Sequence, residues 1–196
     1  MSAKFNYSQM KKELSASYKK AIQKDGLILA KEILEENKNL YIKEIENHPV
    51  SQELNEGPDG ENLSDTLAGK ENLFAFIGFD SNRKPVKELT DFIKDNTSLD
   101  RKFTFDKAKL ELKFNVNTPS LDEIKSATPL PFENGNSWVK GIEDGISGFG
   151  YYIYSTFFNK SRSKRGLQSK NKVRSVAFRS VKYMSDMYEK FIKNLK

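Results

Sequence analysis

From residue 8 to residue 46 the apolar positions of the chain repeat at helical spacing. Met10, Leu14, Tyr18 and Ile22 recur every four residues and draw a narrow stripe. Beyond Gly26 the stripe broadens to Leu27, Leu29, Ala30, Ile33, Leu34, Leu40, Tyr41 and Ile45. A narrow stripe suits one partner helix and a broad one suits a domain core, so Ile33 is expected among the core residues. The pattern predicts one long helix, with its kink at Gly26, where glycine costs about 1 kcal/mol relative to alanine. Asn47-His48-Pro49 ends it, because the residue before a proline is driven out of the helical region. A straight helix of this length spans about 58 Å, whereas a compact chain of 196 residues is about 40 Å across. The helix overhangs its own body unless it bends.

Further along, Ser51 to Asp65 reads as a loop, with Asn55-Glu56-Gly57-Pro58-Asp59-Gly60 all turn chemistry. Leu73 to Phe79 is apolar on both faces and reads as a buried strand. Pro85 opens a short helix with Val86, Leu89 and Ile93 on one face, ending near Asn96. Lys102–Phe105 and Lys109–Val116 read as paired strands; the second alternates Leu110, Leu112, Phe114 and Val116 with Glu111, Lys113 and Asn115. Ser120-Leu-Asp-Glu123 is a capping box for a helix that stops before Pro129. Glycine and turn residues dominate from Asn134 to Gly150, apart from Trp138-Val139. Tyr151 to Phe158, a basic loop and a last helix with Met184, Tyr188, Phe191 and Leu195 on one face complete the chain. The predicted class is α+β: a long N-terminal helix packed across a small antiparallel sheet, with a C-terminal helix. Three units follow from the composition: a helical arm over 1–26, an α+β body over 27–158, and a basic loop with its helix over 159–196.

Charge adds an asymmetry to this picture. Residues 1–144 carry 21 basic and 25 acidic side chains, whereas 145–185 carry nine basic and none acidic. The net charge of +6 is thus a cationic segment on a mildly acidic body, the arrangement that meets phosphate or an acidic protein surface. Aromatics make up 12% of the residues, enough for a packed core. The absence of cysteine excludes a disulfide scaffold, a thiolate metal site and a cysteine nucleophile. No apolar run approaches the ~20 residues of a membrane helix, so no membrane partner is expected. The first ten residues lack the apolar core of a signal peptide, and the chain is expected to be non-exported.

Few residues invite catalytic chemistry. Asp106, Glu111 and Lys113 have the residue types of a metal-dependent nuclease, an acid followed by Glu-x-Lys on a strand. The same alternation makes Glu111 and Lys113 the solvent face of a half-buried strand, which is the simpler reading. His48, the single histidine, has no partner acid placed by spacing and is expected to serve the helix end. Gly141, Gly145, Gly148 and Gly150 lack the order of a P-loop or dinucleotide fingerprint and are expected to permit turns. No catalytic residue, metal or cofactor is expected. The cationic segment is different: Arg162, Lys164, Arg165, Lys170, Lys172 and Arg174 are expected on an exposed loop that meets protein or DNA. Phe149, Tyr151, Tyr152, Tyr154, Phe157 and Phe158, a run of aromatics without charge, are expected at a subunit interface. Aromatics followed by cations also fit single-stranded nucleic acid, the alternative reading of this segment.

The succession of local features resembles a known family. His48-Pro-Val-Ser-Gln-Glu-Leu54 is followed by Asn62-Leu-Ser-Asp-Thr-Leu67 and Asn72-Leu-Phe-Ala-Phe-Ile-Gly-Phe79. Later come Trp138-Val-Lys-Gly-Ile-Glu-Asp-Gly-Ile-Ser-Gly-Phe-Gly-Tyr-Tyr-Ile153 and Ser161-Arg-Ser-Lys-Arg-Gly-Leu-Gln-Ser-Lys170. This series resembles the neck or tail-completion (head–tail joining) proteins of tailed bacteriophages, over residues 10–180. The Pro85–Asn96 helix and the extended basic tail depart from that pattern. The resemblance implies a non-enzymatic structural protein of the virion neck, assembled in the host cytoplasm. It also implies a homo-oligomeric ring between portal and tail. The neighbours would be portal or adaptor and tail-terminator or tail-tube proteins, with genomic DNA passing down the channel.

Overall fold

A computed structural model describes residues 7–67, 72–106, 111–131, 133–145 and 179–195. The first helix, α1 (Tyr7–Asn47), runs for 41 residues without interruption at Gly26, about 60 Å at the usual rise. His48 ends it and at once begins α2 (Pro49–Glu56): its Nδ1 accepts from the Val50 amide at 3.2 Å, and Pro49 occupies the first helical position, where no amide is needed. The expected loop from Ser51 therefore starts only at Gly57, whose φ of 80° suits glycine alone.

The segment read as a buried strand, Leu73 to Phe79, is instead a short helix, α3 (Leu73–Ile77). Asn72 caps it by accepting from the Ala75 amide at 3.0 Å, and Gly78 closes it at φ 80°, ψ 33°. A brief apolar run buried all round has no periodicity to separate strand from helix, and here the two caps decide. Next come α4 (Pro85–Asn96) and the antiparallel pair β1 (Ser98–Asp106) and β2 (Glu111–Asn117). Their register pairs Ser98 with Asn117 and Phe103 with Phe114. Phe114 and Val116 are half-buried while Lys113 and Asn115 are exposed, as the alternation predicts.

Both halves of the Ser120–Glu123 capping box are made at the start of α5 (Leu121–Ser126). A second, smaller pair, β3 (Pro129–Leu130) and β4 (Glu133–Ser137), leads into α6 (Trp138–Asp144). The glycine-rich stretch after Asn134 is thus more regular than its composition implies. Ser137 caps α6, and its hydroxyl lies 2.8 Å from that of Thr128. The last helix, α7 (Met184–Asn194), packs on α1 and buries Met184, Met187 and Phe191.

One apolar core joins these elements. It takes Tyr41, Ile42 and Ile45 from α1, Val50 and Leu54 from α2, and Phe74, Phe76 and Ile77 from α3. Leu89 and Ile93 of α4, Trp138 and Ile142 of α6, and Tyr183 with the face of α7 complete it. The Tyr41 and Phe191 rings stack at 4.6 Å between centroids, and the Phe79 edge meets Trp138 at 6.0 Å. The architecture is α+β: α1 touches both strands of the larger sheet, and α7 returns to pack against it.

Candidate interaction surface

The broad stripe on α1 divides into two faces. At 3.6 residues per turn Leu34, Tyr41 and Ile45 share an arc of about 40°, and all three are buried. Ile22, Leu29, Ile33 and Leu40 share a second arc of about 40°, turned about 120° from the first. These four are exposed at 38%, 57%, 47% and 55%. Ile33 is therefore not a core residue, contrary to the sequence expectation. Periodicity tells which side chains share a face, and packing alone tells which of two faces is covered. Ala30 lies between the arcs and Leu27 in line with the first, both half-buried, and no described side chain from Ala21 to Ile33 is buried.

Beside this helix, the run from His48 to Leu54 turns inward and does structural work. Ser51 Oγ lies 2.5 Å from the Tyr183 hydroxyl, both buried. The His48 ring leans on Tyr183 at 4.9 Å. Burial holds the His48 imidazole below its ordinary range; Glu44 opposes this and Lys190 adds to it. Protonating Nδ1 would also break the Val50 cap, which acts in the same direction. Burial pushes the Tyr183 phenol up, against a lowering by the Ser51 hydrogen bond. Glu53 is fully buried and accepts from the Ser64 amide at 2.9 Å, the Ser64 hydroxyl at 2.6 Å and the Leu73 amide at 2.6 Å. Ser51, Glu53 and Tyr183 are thus buried and hydrogen-bonded, while His48 stays half-buried at the helix junction.

The cationic residues Arg162, Lys164, Arg165, Lys170, Lys172 and Arg174 lie outside the described residues. So do the aromatics Phe149, Tyr151, Tyr152, Tyr154, Phe157 and Phe158. Where that segment leaves and rejoins the body is described. A side-chain carbon placed on Gly145, at the end of α6, would lie 3.9 Å from Ser180 Cβ. The return is stitched down: the Arg179 amide donates to Thr66 O at 3.2 Å and the Val181 amide to Ile142 O at 3.3 Å. The Arg179 guanidinium pairs with Asp65, and the Ser185 amide donates to Glu143 at 2.6 Å. Residues 146–178, with seven basic and no acidic side chains, thus leave and re-enter the body at one place.

Asp106 and Glu111 are register partners at the end of the β1–β2 pair, and Lys113 is exposed. Among the described residues no three His, Cys, Asp or Glu side chains converge as metal ligands would. No described helix is long and apolar enough to cross a membrane. Of the glycine series, Gly141 lies within α6 and Gly145 ends it at φ 78°, the turn role expected; Gly148 and Gly150 fall outside the described residues. Sequence reasoning missed the second face of α1, although the spacing of Ile22, Leu29, Ile33 and Leu40 carries it. It also missed the meeting of Gly145 with Ser180, for which no local signal exists. Comparison with family models, with curated proteins and with solved structures gives no match.

Proposed function

We propose that this chain is a structural protein of the head–tail connector, or neck, of a tailed bacteriophage virion. It acts by assembly into a ring between portal and tail rather than by catalysis. The observation that carries the reading is the long helix α1, which spends one apolar face on its own core and leaves a second uncovered. A chain built in this way is completed by association. The resemblance of its short motifs to neck proteins supplies the place, and the cationic segment supplies a contact for an acidic neighbour in the portal–tail stack. The test is imaging of particles from a host in which the gene is silenced. Full heads without tails, and loss of one layer of density from the neck, are expected; normal tailed particles would overturn the reading.

A second reading, a contact with nucleic acid, rests on the seven cations that the sequence holds over residues 146–178. The two differ in salt response. Phosphate contacts lose affinity with a log–log slope of about −0.9 per phosphate neutralised on duplex DNA. A contact with an apolar protein centre loses far less.

A further inference from the structure

We propose that the exposed face of α1 pairs with the same face of a second copy of this chain, the two helices antiparallel about a two-fold axis near Lys31. Ile22 of one copy then lies opposite Leu40 of the other, and Leu29 opposite Ile33. This inference does not rest on the neck reading: a ring closes through unlike surfaces, whereas this contact joins like ones.

Spacing is the first argument. The four exposed residues are separated by seven, four and seven positions, a sequence of intervals that reads the same in both directions. Two copies laid antiparallel therefore match apolar to apolar at all four stripe positions, with Gly26 and Glu36 sharing the layers between them, as in a two-stranded coiled coil. Glu36 is the second argument. It lies in the same seam and is exposed. In a parallel pair Glu36 meets Glu36, two carboxylates in one layer. In the antiparallel pair it meets Gly26, whose missing side chain leaves the carboxylate room to reach water.

Charge along the helix points the same way. Lys11, Lys12, Lys19, Lys20 and Lys24 precede the stripe's centre against one acid, Glu13, while Asp25 to Glu46 hold six acids and three lysines. A parallel pair sets the lysines side by side. The antiparallel pair sets the two lysine-rich ends apart. Glu32 borders the seam close to its like, while Asp25 lies opposite Asn37, so raising salt does not weaken the contact. Size fits a reversible dimer. With the axis near Lys31 the helices overlap for about 50 Å; at about 10 Å wide the seam covers about 500 Å² per copy. The total is about 1,000 Å², the lower edge of specific interfaces and the range of weak, reversible ones.

The absence of cysteine makes the test direct. Full-length chains carrying only I22C and chains carrying only L40C are mixed and oxidised. Disulfide-linked heterodimers are expected, with at least a tenfold excess over either homodimer. Preferential I22C–I22C linkage would mean a parallel pair and would overturn the proposal. Light scattering should show the unmodified chain passing from monomer to dimer across micromolar concentrations, equally at low and high salt. L29E/I33E alters only side chains already exposed in the single chain, so it should keep the unmodified chain's thermal midpoint and remain monomeric. An unmodified chain that stays monomeric throughout, or a dimer or ring that survives L29E/I33E, would overturn the proposal. Silenced-host particles of normal form would sink the neck reading and leave this dimer standing.

Discussion

Replacing Glu53 by alanine is the sharpest perturbation of the fold. Its carboxylate is fully buried and bound by three donors: the Ser64 amide, the Ser64 hydroxyl and the Leu73 amide. Together they tie α2 to the loop before α3 and to the first turn of α3. In Glu53→Ala the Ser64 hydroxyl still reaches Thr66 Oγ1 at 2.8 Å, so two backbone amides lose their charged acceptor. A buried donor left unmet costs about 1–3 kcal/mol; the buried Leu73 amide takes the upper part of that range and the part-buried Ser64 amide the lower, roughly 4 kcal/mol for the pair, from which relief of burying a charge subtracts about 1 kcal/mol. The expected loss is about 3 kcal/mol, or roughly 6–12 °C in midpoint for a chain of this size. Glu53→Gln retains one acceptor oxygen and turns an amide donor toward another donor, for an intermediate loss of about 2 kcal/mol. Urea unfolding followed by circular dichroism measures both. Hydrogen exchange should accelerate at the Ser64 and Leu73 amides before it does so elsewhere. A loss under about 1 kcal/mol for the alanine variant would refute the view that this carboxylate staples α2 to α3.

Tyr41→Phe should leave stability unchanged or raise it by up to about 1 kcal/mol, because the Tyr41 hydroxyl is buried without a hydrogen-bond partner while its ring stacks on Phe191; a clear loss in urea unfolding would contradict this. His48 has a folded pKa below its ordinary 6.5, so the unfolded chain takes up the proton first. Its contribution to stability is complete above that value and is lost as pH falls through the folded one. His48→Asn, which keeps a capping acceptor, should flatten the fall in midpoint as the pH drops below the ordinary histidine value of 6.5, and an unchanged slope would count against the cap. Excising residues 148–177 and joining the ends with a short Gly-Ser linker should preserve the body's thermal midpoint, since Gly145 and Ser180 already lie in contact distance; a molten product would mean that the segment belongs to the core.

How much of this was legible beforehand follows physical lines. Elements with their own periodicity or caps were readable: α1, α4, the β1–β2 pair, the capping box of α5 and the amphipathic α7. Leu73 to Ile77 was not, because a five-residue run buried on every side carries no period, and its identity lies in Asn72 and Gly78 at the ends. Trp138 to Asp144 hid among glycines for a related reason: its helix depends on the Ser137 cap, made in concert with Thr128 nine residues earlier. The partition of the α1 stripe was visible as spacing but undecided as burial, since only the arrival of α7 and α4 determines which face is covered. The meeting of Gly145 with Ser180 is a long-range contact, beyond any local pattern.

The distribution of unspent apolar surface carries the argument from fold to association. Of the six large apolar side chains left exposed among the described residues, five lie on α1: Ile22, Ile28, Leu29, Ile33 and Leu40. Elsewhere the body meets its own needs. Ser51 finds Tyr183, Thr128 finds Ser137, and Glu53 takes three donors. Four residues of the run from His48 to Leu54, namely Val50, Ser51, Glu53 and Leu54, are buried and hold α2 against the rest of the body. Four of the five exposed side chains on α1 fall on one narrow arc, whereas surface apolar residues arising without a role scatter singly. The stacking of Tyr41 on Phe191 holds α7 on one side of α1, which sets the second face of the helix away from that contact. Among the described residues nothing covers the stripe, and the packing of α7 on the neighbouring face of α1 leaves it open.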